Sequence, residues 1–284
     1  MPVETDNPMQ GTDQATDEDA RDVLVRCENL VCGYGDTAVL EDINCQIERG
    51  EIVALLGGSG SGKSTLLKTM VGLLPPMAGT IEVLGRDPYR LEDDERSKLM
   101  RRIGMMFQHG ALFGSDTVYE NIALPAQEHT DLPEPVIREM VRQKLSLVGL
   151  EGLENRLPSD ISGGQQKRVA LVRASILDPD IVFADEPSAG LDPIVAAGVD
   201  HVLRQFQSLF NMTMIVVTHE LESVKVLADR VLMLSDGGII ADGTVDELYD
   251  SEDKAVHDFF HRQAPDFLEA GEGNSVLAAL ERQS

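Results

Sequence analysis

The sequence has few basic residues, few cysteines and no long apolar run. Its 24 lysines and arginines stand against 49 acidic residues, which argues against non-specific nucleic-acid binding because phosphate contacts need basic side chains. The three cysteines (Cys27, Cys32, Cys45) lack the partners of a zinc site, which favours free thiols in a reducing compartment. No run approaches the roughly 18 apolar residues of a membrane span, and the first ten residues do not resemble a signal peptide. We therefore expect a protein that is cytosolic, or peripheral on the cytosolic side of a membrane.

The acidic residues are concentrated at the two ends of the chain. Residues 1–20 carry six acids and no base, and residues 245–284 carry ten acids against three bases. A solvated acidic surface explains this charge, and adaptation to a salty cytoplasm is a weaker hypothesis. Residues 1–22 lack apolar periodicity and are predicted to be disordered, whereas residues 251–284 are assigned to an acidic C-terminal extension.

Between these ends the sequence contains a phosphate-binding motif. Residues 57–65 read GGSGSGKST and fit G-x-x-x-x-G-K-[ST] after an apolar run that predicts a buried strand. A backbone that wraps a polyphosphate favours residues without a Cβ, and the following helix directs its positive end at the anion. Lys63 would contact the β- and γ-phosphates, and Ser64 would offer its hydroxyl to Mg²⁺. The predicted phosphate-binding residues are Gly57, Gly58, Ser59, Gly60, Ser61, Gly62, Lys63, Ser64 and Thr65.

Polar side chains follow three other apolar runs. Gln108 ends one predicted strand and His219 follows another, while Asp185 and Glu186 come directly after a third. Ligands bind at the carboxyl ends of parallel strands, so we expect these side chains to meet beside the phosphate loop. Gln108 can reach Mg²⁺ or the attacking water, and Asp185 would hold Mg²⁺. Glu186 would polarise the water that attacks the γ-phosphate, and His219 would donate to that phosphate.

The run Ser162-Gly163-Gly164-Gln165 begins a predicted helix. Ser162 and Gln165 fit a capping box, which alone is one explanation of the stretch. A cap does not need two adjacent glycines, so we infer that a phosphate approaches the exposed N–H groups of this helix. Ser162 to Gln165 are therefore candidate nucleotide-binding residues.

Two turns and a helical insert complete the predicted organisation. Tyr34 lies at a predicted turn, where it can stack on an adenine ring, although an ordinary surface or packing role fits the sequence as well. Asp192 lies in a turn that leads into a helix with Pro193 at its first position. A helical subdomain is predicted at about residues 109–176, where apolar residues recur at helical spacing. Core packing explains most of this apolar pattern. Its helices are predicted to be interrupted by Pro125, Pro133, Pro135 and Pro158.

The features described so far occur along the chain in the order Tyr34, GxxxxGKS, Gln108, ISGGQ, IVFADE, SAGLD and His219. With this order, residues 23–250 resemble the ATP-binding subunit of ABC transporters. Ile161 replaces the usual leucine of LSGGQ, and Ala184 occupies an often bulkier position. The resemblance implies an α/β P-loop NTPase with a mainly parallel core sheet, an antiparallel β subdomain and the helical subdomain. It implies ATP and Mg²⁺ as cofactors and places Asp192 in the nucleotide site. It also implies a homodimer in which residues 162–165 of one subunit cover the ATP of the other, so that one subunit alone hydrolyses ATP poorly.

Residues 107–130 resemble the ATPase of the Mla phospholipid-trafficking systems through GALF at 110–113, Asn121, Pro125, Glu128 and His129. This resemblance implies that the segment grips an integral-membrane permease from the cytoplasmic side of the inner membrane. A periplasmic lipid-binding protein would be reached through that permease.

Two alternatives remain open at this point. An ATPase of an amino-acid, polyamine or lipoprotein transporter is one. A soluble ABC ATPase of DNA repair or ribosome work is less favoured because the chain has a single phosphate loop and a formal charge of −25.

Overall fold

The computed structural model of the protein describes residues 22–108 and 110–261. His109, the predicted disordered N-terminus except Asp22, and the end of the predicted C-terminal extension lie outside these residues. In chain order the elements are β1 (Val23–Tyr34), β2 (Thr37–Glu48), β3 (Ile52–Leu56), α1 (Lys63–Met70), β4 (Ala78–Val83), α2 (Asp93–Met100), β5 (Ile103–Met106), α3 (Val118–His129), α4 (Glu134–Leu147), α5 (Gly163–Ser175), β6 (Ile181–Asp185), α6 (Pro193–Phe210), β7 (Thr213–Val217), α7 (Leu221–Leu227), β8 (Arg230–Ser235), β9 (Gly238–Gly243), α8 (Val245–Tyr249) and α9 (Lys254–Phe260).

A six-stranded sheet forms the centre of the fold, in the order β5-β6-β7-β3-β8-β9. The strands from β5 to β8 are parallel, and β9 pairs with β8 in the antiparallel direction. Every residue of β3 and β7 is buried, as expected for strands covered on both faces. The loops that follow β3, β6 and β7 therefore open at one edge of the sheet. The predicted mainly parallel core sheet is confirmed.

A separate three-stranded sheet, in the order β2-β1-β4, is antiparallel. Its inner face packs in one apolar cluster with α1 and the central sheet, with Leu30, Leu66 and Phe183 among the fully buried members. The cysteines lie on β1 and β2, where all three are buried and free, as predicted. This sheet is the predicted antiparallel β part of the fold.

Helices α3, α4 and α5 pack in a second apolar cluster on the other side of the central sheet. The prediction that Pro125 interrupts a helix is wrong, because α3 continues through it to His129. The loss of one backbone hydrogen bond is tolerated where a capping box at Thr117 and Glu120 fixes the helix start and Ala126 is fully buried. The other three prolines lie at helix boundaries, as predicted. Pro133 and Pro135 are at the start of α4, and Pro158 begins a 3-10 turn over Pro158–Asp160.

The end of the described chain also packs on the core. The hairpin of β8 and β9 is followed by the short helices α8 and α9. Val256 and Phe260 of α9 are buried in a third apolar cluster with Leu56 of β3 and Leu221 of α7. Within the described ranges, no helix combines the length and apolar character needed to cross a membrane.

Candidate functional site

The phosphate loop connects β3 to α1 and surrounds a cavity of about 590 Å³. Gly57 has φ 153°, and a Cβ built on it would lie 2.3 Å from the carbonyl oxygen of Leu234, so only glycine fits there. The loop thus passes tightly over the end of the sheet and directs its backbone into the cavity. The cavity is lined by Val39, Gly57, Gly58, Ser59, Gly60, Gly62, Lys63, Ser64, Thr65, Glu186, His219 and Phe259.

Lys63 begins α1 and is almost completely buried. Its ammonium group donates to the carbonyl oxygens of Gly57 at 2.9 Å and Gly58 at 2.7 Å. Burial lowers the pKa of Lys63, and the charges of Glu186 and Asp185 oppose that shift. The two carbonyl oxygens thus place the Lys63 side-chain nitrogen at the inner edge of the loop, where it can contact a bound anion.

Ser64 and Asp185 form an oxygen pair beside the cavity. The Ser64 hydroxyl donates to Oδ1 of Asp185 at 3.5 Å, and oxygen atoms of this kind are the ligands that Mg²⁺ prefers. Burial raises the pKa of Asp185, and the neighbouring charge of Glu186 raises it further. A cation at this position would offset both effects, so the donor chemistry fits Mg²⁺.

Glu186 is the centre of the polar cluster at the edge of the sheet. Its Oε2 accepts from the side-chain amide of Gln108 at 3.0 Å, and its Oε1 lies 2.9 Å from Nδ1 of His219. The backbone of Glu186 has φ 46°, a left-handed conformation that is strained for a residue with a long side chain. The structure thus brings Gln108, Glu186 and His219 together, as expected from their positions after three parallel strands.

The residues from Ser162 to Gln165 begin α5 and are not among the described residues that line the cavity. The predicted capping box is present, since the Gln165 side chain accepts from the Ser162 N–H at 2.8 Å. The helix begins at Gly163 and ends at Ser175. A Cβ on Gly164 would lie 2.4 Å from a methyl group of Val195, so packing on α6 alone requires this glycine. This packing weakens the inference from the glycine to a phosphate.

Asp192 also lies away from the cavity lining among the described residues. It is the N-cap of α6, where its Oδ1 accepts from the N–H groups of Ile194 at 3.2 Å and Val195 at 3.1 Å. This cap explains why the chain turns from the SAGLD run into a helix that begins at Pro193.

Tyr34 is the last residue of β1 and its side chain is 49% exposed. It does not line the cavity in the described part of the chain, whereas Val39 of β2 and Phe259 of α9 do. Sequence reasoning missed both of these residues. An aromatic residue in the acidic C-terminal stretch was the available signal for Phe259, but its approach to the phosphate loop depends on how α9 packs on the core.

A glycine-rich loop before a helix, with two carboxylates at the end of another parallel strand of the same sheet, defines the P-loop nucleotide-binding class. A profile described as ABC transporter matches residues 40–189. The chain is 41% identical over 236 residues to "Intermembrane phospholipid transport system ATP-binding protein MlaF" of Haemophilus influenzae, covering 83% of this chain and 89% of the relative. It is 37% identical to "Probable ribonucleotide transport ATP-binding protein mkl" of Mycobacterium leprae, covering 84% and 69%.

Among solved structures, the chain resembles "Dimeric structure of a post-hydrolysis state of the ATP-binding cassette MJ0796 bound to ADP and Pi". The TM-score is 0.71 with 30% identity, covering 78% of this chain and 99% of that one. The chain belongs to the ABC transporter family. It has the fold of the ATP-binding cassettes and is an ATPase that binds nucleotide.

Proposed function

We propose that this chain is the ATP-hydrolysing subunit of a transporter that moves phospholipid between the inner membrane and the cell envelope. The observation that carries the ATPase assignment is the position of Glu186, fixed between Gln108 and His219 at a cavity built by the phosphate loop. A carboxylate in this place can accept a proton from a water molecule that attacks a terminal phosphate.

The other predicted site residues have matching roles in this proposal. The loop from Gly57 to Thr65 binds the phosphates of ATP through its N–H groups, and Lys63 exchanges its carbonyl partners for phosphate oxygens. Ser64, Asp185 and Gln108 hold Mg²⁺, which when bound neutralises charge on the phosphates. His219 donates a hydrogen bond to the terminal phosphate, and Tyr34 stacks on the base from the end of β1.

A second copy of the chain is required in the proposal. Ser162 to Gln165 and Asp192 lie outside the cavity that the phosphate loop surrounds, so they are available to contact the nucleotide of another subunit. The similarity to a dimeric cassette bound to ADP and phosphate supports this arrangement.

The subunit would lie on the cytoplasmic face of the membrane, held by a permease through residues 107–130. The catalytic unit spans residues 23–250 with a helical part at about 109–176, and residues 251–284 form its extension.

The phospholipid assignment is supported by the name of the Haemophilus influenzae relative, a phospholipid transport protein, and by the segment that includes Asn121 and His129. The Mycobacterium leprae relative is named for ribonucleotide transport, so the substrate must be tested directly. Tagged wild-type chain and Glu186→Gln chain are captured from detergent-solubilised membranes of the host. Co-purified membrane subunits and bound phospholipid are expected in both. A complete complex that contains no phospholipid and whose ATP hydrolysis responds to a ribonucleotide or polyamine would contradict the proposal.

A further inference from the structure

Lys167 of α5 connects two of the predicted catalytic residues through their backbones. It is 7% exposed, and its ammonium group donates to the carbonyl oxygen of Gln108 and, at 3.2 Å, to that of Glu186. The same two residues are joined at their side chains by the bond from Gln108 to Glu186. One lysine therefore spans the loops that follow β5 and β6, where a hydrophobic residue would leave two polar carbonyl groups without this donor.

The backbone of Glu186 needs such support. Its φ of 46° is strained for a non-glycine residue, and strain of this kind persists only where the surroundings fix the conformation. The N–H of Glu186 donates to the carbonyl of Val217 at 2.9 Å, which anchors one side of the residue to β7. Lys167 binds the other side, at the carbonyl oxygen. Burial lowers the pKa of Lys167 while the charges of Glu186 and Asp185 raise it, and both acids favour an ammonium group at this position.

Helix α5 connects this contact to the N-terminal end of the helix. It begins at Gly163 after the cap residue Ser162, and Lys167 lies little more than one turn further along the same helix. A movement of the capped end therefore moves the ammonium group relative to Gln108 and Glu186. We propose, on the basis of the function proposed above, that Lys167 is a positioning residue that fixes the Glu186 carboxylate for catalysis. It also transmits the position of the helix α5 N-terminus to that carboxylate.

The chain offers a matched control for this proposal. Lys144 of α4 is 6% exposed, and its ammonium group donates to the carbonyl of Ser175 at 2.8 Å and to Asp178 at 2.6 Å. Both lysines are thus buried and bound to a main-chain carbonyl, but Lys144 contacts the C-terminal end of α5. A general structural role predicts the same consequences when either side chain is replaced. Positioning of Glu186 predicts a difference.

The experiment compares Lys167→Met, Lys167→Arg and Lys144→Met with wild type in the full-length chain. ATP affinity and the number of nucleotides bound per chain are measured at equilibrium, and kcat and KM are measured by phosphate release. Lys167→Met is expected to lower kcat by about 10²-fold, since small misplacements of reacting groups cost factors of this size. Its affinity and stoichiometry for ATP should stay within about threefold of wild type. Such a result would exclude unfolded protein as the cause of the lower kcat. Lys167→Arg, which keeps a donor, should recover most of the lost kcat.

Lys144→Met is expected to lower the thermal midpoint while kcat per nucleotide-binding chain stays close to wild type. Equal losses of kcat in the Lys167 and Lys144 variants would overturn the positioning role. So would a loss of ATP affinity in Lys167→Met that accounts for the whole loss of kcat/KM. If Lys167→Met does not fold, Lys167→Gln is measured by the same criteria. Failure of the proposed function has a different signature, because the wild type itself would then not hydrolyse ATP and Glu186→Gln would change nothing.

Discussion

Nδ1 of His219 lies 2.9 Å from Oε1 of Glu186, although 33 residues separate the two in the sequence. The contact exists because β6 and β7 are neighbouring parallel strands, so their carboxyl ends meet at the same edge. Glu186 is 18% exposed at its side chain and His219 is 52% exposed, which leaves the histidine accessible from the cavity. The Glu186 side chain is thus held in place by a residue of the same chain. Its carboxylate faces the place where the phosphate loop would present a terminal phosphate.

Replacement of Glu186 by glutamine should abolish most hydrolysis and leave nucleotide binding. An amide cannot take the proton of the attacking water, so phosphate release is expected to fall about 10²- to 10³-fold. Equilibrium binding of ATP should persist, because the loop and Lys63 are unchanged. Glu222→Gln is the control, since Glu222 is an exposed acid paired with Lys225 at 3.1 Å. Hydrolysis in Glu186→Gln close to the wild-type rate would contradict the assigned role.

Two inactive chains should complement each other if the nucleotide site is shared between subunits. Lys63→Ala removes the cation of the phosphate loop, and Ser162→Arg places a bulky charge at the N-terminus of α5. Each variant alone is expected to hydrolyse ATP poorly, but a mixed dimer contains one site with both elements intact. Phosphate release by the mixture should therefore exceed that of either variant at the same total concentration. A mixture no more active than its components would count against the shared site.

Phe259 should affect nucleotide affinity although it lies outside the sequence motifs. It lines the cavity from α9, so Phe259→Ala removes apolar contact area and should raise the KM for ATP about fivefold with little change in kcat, the effect of roughly 1 kcal/mol. Tyr249→Ala is the matched control, because Tyr249 is an aromatic residue of the same region whose ring contacts that of His261 instead. An unchanged KM in Phe259→Ala would show that the side chain does not contact nucleotide.

The residues that could be predicted from sequence are those whose role follows from local pattern. Gln108, Asp185 and His219 each follow an apolar run, and the rule for parallel strands brings such ends together. Ser162 and Gln165 satisfy a capping box that involves only neighbouring residues.

The residues that were missed depend on tertiary packing. A lysine in a polar helical stretch is normally exposed, and nothing local shows that Lys167 is buried against two carbonyl groups. Phe259 enters the cavity only because Val256 and Phe260 fix α9 on the core. The continuation of α3 through Pro125 likewise overrides the local preference of proline.

Asp200 of α6 should make stability depend on pH. It is 2% exposed, and its Oδ1 has no hydrogen-bond partner among the described residues. Burial raises its pKa above the ordinary value of 3.8, while hydrogen bonds from Ser223 and Ser188 lower it less. The folded chain therefore binds the proton more tightly than the unfolded chain does. This contribution to stability is complete below the unfolded pKa and is lost as the pH rises through the folded pKa.

Asp200→Asn removes that titration and replaces a buried charge by a neutral amide of the same shape. Urea unfolding should show the variant more stable than wild type at pH 8 by about 1 kcal/mol, the scale of an unsatisfied buried group. The advantage should shrink as the pH falls, because protonation of the wild-type carboxyl in the folded chain removes the buried charge. The other acids titrate in both proteins, so their contribution drops out of the difference in unfolding free energy between variant and wild type. If Asp200→Asn is less stable than wild type by the same amount across this range, the carboxylate is satisfied by Ser188 and Ser223, and its burial carries no cost in the folded chain.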